Sequence, residues 1–209
     1  MVSALALWGA RGFERGIEET TVEEIARAAG VTKGTFYFHF AHKEDILLEL
    51  GWVAAAAMFD EAEAGISEGV PSDRIIDDLV RSLARRVERV PRAAVIRSAA
   101  EFHRRAHDAS VRPAGARGFA DAFCAVARYA IARGELPRGS DPVELANVLE
   151  AAVMDTLLRW AANEPMEDRR PLAVRLWVAA RLVLAGARVV YADCPAGAFG
   201  QYRSRSARL

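Results

Sequence analysis

The stretch TTVEEIARAAGVTKGTFYFHFAHKED, residues 20 to 45, contains two short helical patterns separated by a glycine. Apolar residues recur at spacings of three and four from Val22 to Ala29, which predicts an amphipathic helix that ends at Gly30. A second helix is predicted from about Lys33 to Phe38. Two short helices joined by a tight turn are typical of a helix-turn-helix, in which the second helix enters the major groove of DNA.

The ends of these two helices carry recognisable capping residues. Thr21 followed by Glu24 is the pattern of a capping box, and Thr32 is placed to cap the second helix. In the second helix, Phe36 and Phe40 lie four residues apart and are expected to face inward together with Val31. The outward set is then rich in hydrogen-bond donors: Lys33, Thr35, Tyr37 and His39.

The rest of the chain follows the same helical spacing, with almost no alternation of period two, so the fold class is all-α. A first helix is predicted from about Val2 to Arg11. Turn signals predict further helices from Lys43 to about Gly65 and within the intervals 71–91, 91–110, 113–134, 141–163 and 171–187.

The overall composition excludes several classes of protein. Lys plus Arg and Asp plus Glu number 28 each, so any anion binding must be local. Two cysteines without metal or redox spacing, Cys124 and Cys194, are typical of a reduced compartment. The N-terminus is not a secretory signal, and Arg181 and Arg188 interrupt the longest apolar region. We therefore expect a cytoplasmic protein with no membrane segment.

The segment TTVEEIARAAGVTKGTFYFHFAHKEDIL resembles the DNA-binding signature of the TetR family of bacterial repressors. The close match runs from about Leu7 to Leu48, and the remainder agrees only in helical layout. The segment GFERGIEETTV is about four residues longer than the common GFxxTTV form. The resemblance implies a three-helix helix-turn-helix domain at 1–46, a helical ligand-binding and dimerisation domain at 47–195, and a flexible tail at 196–209.

The resemblance also implies a set of DNA contacts. Hydroxyl and ammonium groups would meet phosphates, while lysine can donate to guanine O6 or N7 and an aromatic ring can contact a thymine methyl. A lysine before the next helix opposes its dipole, a cost that a nearby phosphate would offset. The phosphate contacts are Thr21, Thr35, Tyr37 and Lys43; Lys33, Phe38 and His39 lie against base edges; Thr32 caps the helix and Gly34 permits close approach.

The charge of the first fifty residues argues in the other direction. Five basic side chains stand against eight acidic ones, a balance of −3. Because phosphate contacts supply much of protein–DNA affinity, we expect weak, salt-sensitive binding unless missing N-terminal residues or a dimer compensates. An alternative reading is a helical dimer that binds a small molecule or a protein and has no operator.

The segments 141–163 and 171–187 have more apolar side chains than helices with one solvent-exposed face usually carry. This surplus predicts a homodimer through these two segments. Burial of both helices within one chain is the alternative. A dimer would place two recognition helices about one DNA turn, roughly 34–36 Å, apart on a palindrome. The residues behind this expectation are Leu145, Val148, Leu149, Val153, Leu157, Trp160, Leu172, Leu176, Trp177, Val178, Leu182 and Val183.

The family resemblance further implies a small-molecule effector that swings the helix beginning near Lys43 and so separates the two recognition helices. We expect a mainly apolar effector and no cofactor. Each candidate residue could instead fill the core, because pockets and cores use the same side chains. The candidates are Trp52, Met58, Phe59, Phe102, Phe119, Phe123 and Met154.

The sequence gives little support to two other kinds of site, a metal site and a catalytic site. His103 and His107 are four residues apart, which suits one face of a helix, but Arg104 and Arg105 would repel a dication and no third ligand has a diagnostic spacing. We therefore expect no metal site. No nucleophile elbow, phosphate loop or paired-carboxylate motif occurs, so an enzyme is the less favoured reading.

Overall fold

In the computed structural model, residues 1–105, 115–162 and 170–192 are described, and they form helices and no strand. No helix among these residues is long and apolar enough to cross a bilayer. The all-α prediction is confirmed. The elements are α1 (Val2–Ala10), α2 (Phe13–Glu19), α3 (Val22–Ala29), α4 (Lys33–His39), α5 (Asp45–Ser67), α6 (Ser72–Val87), α7 (Arg92–Arg105), α8 (Phe119–Ala132), α9 (Pro142–Ala161) and α10 (Leu172–Ala192).

Helices α1 to α4 pack around a small apolar cluster. The backbone turns sharply between α3 and α4 at Gly30, whose φ of 69° lies in the left-handed region that favours glycine. The start of α5 completes the cluster, so this helix joins it to the larger core. The buried members are Ala4, Trp8, Ile17, Ile25, Phe36, Ile46 and Leu47.

Helix α2 was not predicted from the sequence. It occupies the segment that is longer than the common family form, and it begins after Gly12, which has a φ of 78°. The ring of Phe13 meets the ring of Trp8 edge-on at a centroid distance of 5.9 Å. The extra residues thus form a short helix that packs against α1.

Gly16 is where α2 approaches α1 most closely, because a Cβ there would lie 2.2 Å from the Trp8 carbonyl oxygen. We expect Gly16→Ala to lower the free energy of unfolding by about 1–3 kcal/mol, the usual cost of overpacking. Gly9→Ala is the matched control, since a Cβ there would have no atom within 4 Å and alanine favours a helix by roughly 0.5–1 kcal/mol. Urea unfolding of both variants checks this, and equal effects would contradict the close contact.

Helices α5 to α10 enclose the larger apolar core. Helix α5 packs on α6, α7 and α8, and α9 packs on α7, α8 and α10. The largest fully buried side chains of this core are Met58, Ile76, Leu79, Val80, Leu83, Phe123, Val126, Leu149, Leu172 and Leu176. The proposed division of the chain at 46/47 falls within α5, between Ile46 and Leu47 of the smaller cluster, and Leu48 is the first residue of the larger one.

Charged groups fasten α10 to the start of α6. The Arg181 guanidinium donates to Asp73 at 2.6 Å and to Asp77 at 2.8 Å, and Arg188 donates to Asp73 as well. The two arginines that interrupt the apolar C-terminal region are therefore used within the fold.

Part of the apolar surface of α9 and α10 stays uncovered. Six of the side chains behind the dimer prediction are buried within the chain: Leu145, Leu149, Val153, Leu157, Leu172 and Leu176. Others on the same helices are exposed: Val143, Val148, Val174, Trp177, Leu182, Val189 and Val190. Leu182 is the most exposed of them at 68%. The exposed set is the apolar face of α9 and α10.

Candidate nucleic-acid interface and ligand cavity

Helix α4 is anchored by one side and presents the other to solvent. Phe36 is buried and Phe40 half-buried, with ring centroids 5.4 Å apart. Tyr37 is 49% and Phe38 85% exposed, an unusual position for two large aromatic groups. Val31 is exposed, so its predicted inward orientation is wrong. It lies in the turn before α4 and therefore does not follow the helical periodicity.

The first turn of α4 is closed by two hydroxyl groups. Thr32 Oγ1 accepts from the Thr35 amide at 3.0 Å, which confirms the predicted cap, and the two hydroxyl oxygens lie 2.8 Å apart. A Cβ on Gly34 would meet only Thr32 Oγ1, at an ordinary 3.7 Å. Among the described residues, no atom lies close enough to require glycine at this exposed position, and its close approach to DNA stays a prediction.

The start of α3 carries the predicted capping box. Thr21 Oγ1 accepts from the Glu24 amide at 3.2 Å, and the Glu24 carboxylate accepts from the Thr21 amide at 2.8 Å. Arg11 adds an ion pair to the same carboxylate at 2.8 Å. This arrangement fixes the N-terminus of α3 relative to the end of α1.

The Arg11 guanidinium, with the Thr21 amide, lowers the pKa of Glu24 to about 2 from its ordinary 4.5. A carboxyl group with a depressed folded-state pKa stabilises the fold above its unfolded pKa, and that contribution disappears as the pH falls through the folded value. We expect the melting temperature of the wild type to exceed that of Glu24→Gln at neutral pH. The gap should close between about pH 4.5 and 2, and a gap independent of pH would contradict the ion pair.

Lys33 is engaged within the protein. Its ammonium donates to the Glu23 carboxylate of α3 and lies 5.9 Å from the centroid of the Tyr37 ring. The Glu23 carboxylate raises the pKa of Lys33, and the ammonium in turn lowers the pKa of Glu23. The outward cation of α4 is therefore held as one half of an ion pair.

Lys43 differs from its sequence-based interpretation. Helix α5 begins at Asp45, and the Lys43 ammonium donates to the carbonyl oxygens of Glu18 at 3.1 Å and Thr20 at 3.0 Å. A cation at the C-terminus of α2 is favourable for the helix dipole. Lys43 thus stabilises the contact between α2 and the α4–α5 connection, and its phosphate contact stays a prediction.

A cavity of about 240 Å³ lies between α5, α6, α7 and α9. Three of the predicted ligand residues line it, namely Phe102, Phe119 and Met154. The other lining residues are Leu50, Gly51, Val53, Ala54, Leu83, Arg86, Val87, Val90, Val95, Ser98, Ala99 and Leu157. The part of the wall that the described residues form is therefore apolar apart from one guanidinium and one hydroxyl group.

The remaining predicted ligand residues lie elsewhere. Trp52, Met58 and Phe123 are buried in the larger core and do not line the cavity. Phe59 lies in a separate surface depression, where the Arg117 guanidinium lies 4.5 Å from its ring centroid.

Sequence reasoning missed the small residues that make room for the cavity. Gly51 lets α7 approach α5, because a Cβ there would lie 2.3 Å from the Phe102 ring. Ala54 and Ala99 leave space where larger side chains would project. The glycine inside the predicted α5 helix was the available signal, since an interior glycine often marks close packing.

Helix α7 touches both the cavity and the helix-turn-helix half. Ser98 lines the cavity, and its hydroxyl donates to the Leu47 carbonyl at 2.6 Å in a buried contact. One residue earlier, Arg97 forms an ion pair with Glu14 of α2 at 3.6 Å. A shift of α7 would therefore change its contacts with the start of α5 and with α2.

Only some of the side chains that could bind a metal ion belong to the described residues. Among the described residues, no three His, Cys, Asp or Glu side chains are grouped to hold a metal ion. The side chain of His103 and all of His107 lie outside the described residues.

Comparison with known proteins agrees with this geometry. Residues 2–50 match the family model described as bacterial regulatory proteins, tetR family. The chain is 37% identical over 60 residues to the transcriptional regulator AcrR of Shigella flexneri, which covers 29% of this chain and 27% of that protein. It is 48% identical over 46 residues to the repressor KstR2 of Mycobacterium tuberculosis, or 22% and 23% of the two chains. The chain thus spans about a quarter of the length of these relatives.

A structural likeness extends over almost the whole chain. The crystal structure of Thermus thermophilus FadR, a TetR family transcriptional repressor in complex with lauroyl-CoA, is similar with a TM-score of 0.67. The sequence identity is 28%, and the alignment covers 93% of this chain and 96% of that one. The helix-turn-helix of this chain thus matches the TetR family of bacterial regulatory proteins over residues 2–50, and the fold of the chain is similar to that of a TetR family repressor over almost its whole length.

Proposed function

We propose that this protein is a ligand-responsive transcriptional repressor that binds a palindromic operator as a homodimer. The observation that carries the proposal is the exposed face of α4, which presents Lys33, Tyr37 and Phe38 beside the hydroxyl groups of its first turn. An ammonium, a phenol and threonine hydroxyls are donors for phosphates and base edges, and an exposed ring suits a thymine methyl. Tyr37 and Phe38 leave about half or more of their surface exposed on this face.

A second copy of the chain is the proposed cover of the apolar face of α9 and α10. Burying such a face removes apolar surface from water, which is the main driving force for association. A two-fold dimer also supplies the two recognition helices that a palindrome requires. Typical separations are roughly 34–36 Å, one turn of DNA.

The cavity supports an effector with an apolar body. Its volume of about 240 Å³ lies slightly below the range of about 300–1,000 Å³ usual for ligand pockets, so it suits an acyl chain better than a bulky molecule. Arg86 provides the one cation of the described wall; its guanidinium donates to the Glu61 carboxylate, and an acidic or phosphorylated head group would have to replace or share that partner. Because a relative at 28% identity was crystallised with lauroyl-CoA, fatty acyl-CoA thioesters are the first effectors to test.

The proposed release mechanism uses α5 and α7. Both helices line the cavity, and both continue into contacts with the helix-turn-helix half through Leu47 and Glu14. An effector that fits only an expanded cavity would shift these helices and thereby change the separation of the two α4 helices. A ligand acts in this way only if it binds the released state more tightly.

The test is a gel shift with the DNA that flanks the protein's own gene. We expect a discrete shifted band at low salt, a complex with two protomers, and release on addition of lauroyl-CoA. Salt-sensitive binding is expected because phosphate contacts supply much of protein–DNA affinity, and the balance of five basic against eight acidic side chains in the first fifty residues, or −3, should keep that affinity weak. The absence of any shift at low salt would contradict the operator.

The rival reading is a helical dimer that binds a ligand without DNA. It would retain the lauroyl-CoA interaction in isothermal titration calorimetry while binding no operator. An enzyme is disfavoured because the relatives are regulators. As a repressor of transcription the protein would act in the cytoplasm.

A further inference from the structure

The ion pair between Lys33 and Glu23 connects the two helices of the helix-turn-helix. Lys33 is the first residue of α4, and Glu23 lies in the first turn of α3. Each side chain is about half exposed, at 53% and 52%, so both groups stay accessible to a nucleic acid. The pair therefore lies on the surface that the proposed function assigns to DNA.

Glu23 alters what Lys33 can contribute to binding DNA of any sequence. Sequence-independent affinity comes from cations that neutralise phosphates and release counterions. A lysine paired with a carboxylate adds no net charge to the surface, and the carboxylate itself repels phosphates. Glu23 thus removes one cation from the non-specific interaction.

A G·C base pair offers a different exchange. Guanine O6 and N7 accept from a lysine ammonium, and the cytosine N4 amino group donates to a glutamate carboxylate. Both partners of the ion pair can therefore be satisfied at once by base edges, whereas the phosphate backbone can satisfy only the lysine. The pair costs little to open, because both of its groups are exposed to solvent.

We propose that Glu23 is a specificity-determining residue, which suppresses non-specific binding through Lys33 and favours a G·C pair at the position where the two side chains meet DNA. This inference rests on the proposed operator function. It also gives a role to part of the acidic surplus of the first fifty residues. When non-specific binding is weak, the contacts to base edges decide which DNA sequence is bound. Lys33 and Glu23 then act as one reading unit.

The experiment compares Glu23→Gln with Glu19→Gln. Glu19 is exposed and paired with Arg15 at 2.6 Å, so its substitution makes the same charge change without touching Lys33. Affinities are measured for a duplex that the wild type selects from a random pool and for an unselected duplex of equal length. Thermal melting verifies that both variants remain folded.

We expect the ratio of selected to unselected affinity to fall at least about tenfold in Glu23→Gln, and its salt dependence on the unselected duplex to steepen by roughly one phosphate per protomer. Glu19→Gln should keep the ratio within about twofold. In a Lys33→Met background, adding Glu23→Gln should no longer steepen the salt dependence on the unselected duplex, which identifies Lys33 as the route of the non-specific effect.

Equal ratios in the two single variants would overturn the role of Glu23 and leave the repressor intact. Wild-type protein that enriches no sequence from the pool would overturn the proposed function together with this inference. The two failures are therefore distinguishable from the same set of measurements.

Discussion

Alanine at both Lys33 and Tyr37 is expected to abolish the operator complex under conditions where the wild type is fully bound. A lysine contact to a base edge contributes about 1–3 kcal/mol, and a phenol donating to a phosphate contributes a charge-assisted hydrogen bond of about 1.5–3 kcal/mol. Because both losses occur in each protomer of a dimer, the affinity should fall by at least about 100-fold. Fluorescence anisotropy with a labelled operator measures this.

A matched control separates contact from charge. Arg74→Ala removes a cation from α6, where Arg74 is exposed and paired with Asp78 at 3.0 Å, and should change operator affinity less than about threefold. The double variant should also keep the wild-type melting temperature, since Tyr37 and Lys33 are exposed. A double variant that binds the operator normally would show that α4 does not read the DNA.

Phenylalanine at Ala54 is expected to produce a repressor that no longer responds to its effector. Ala54 lines the cavity from α5, so a benzyl group at this position occupies space that an acyl chain would take. Operator affinity should remain within a few-fold of the wild type, because the change lies outside the helix-turn-helix. Lauroyl-CoA at a concentration that fully releases the wild type should leave this complex bound.

Ala56→Phe provides the comparison on the same helix. Ala56 is exposed and is not part of the cavity wall, so this variant should release the operator as the wild type does. Calorimetry should show that Ala54→Phe has lost acyl-CoA binding. A variant that still binds and releases normally would place the effector somewhere other than this cavity.

Local signals in the sequence were sufficient to predict the two helices and the turn of the helix-turn-helix. Thr21 with Glu24, Thr32 and Gly30 act through bonds to neighbouring backbone groups, so their roles can be read from spacing. Helix α2 was missed because it has no side-chain cap and begins after Gly12, which reads as a helix end. The hydrogen bonds of Lys43 within the protein were not predicted, because the carbonyl groups that accept them lie more than twenty residues away in sequence.

The cavity was harder to predict for a different reason. Its existence depends on small residues and on the distance between helices, neither of which produces a periodic pattern. Trp52 and Met58 are large apolar residues of the kind that also line pockets, yet both are buried in the core. Large apolar groups identify the interior of the protein, whereas Gly51 and Ala54 decide where the interior stays open.

The contacts of α7 with Leu47 and Glu14 have a practical consequence for protein engineering. A chimaera that joins the half with the cavity to the helix-turn-helix of a known regulator would lose Glu14, and with it the partner of Arg97. The hydrogen bond from Ser98 reaches a backbone carbonyl and would survive the exchange. Biosensors built on this scaffold should therefore carry residues 1–47 as a block, or reintroduce the acidic residue when that block is replaced.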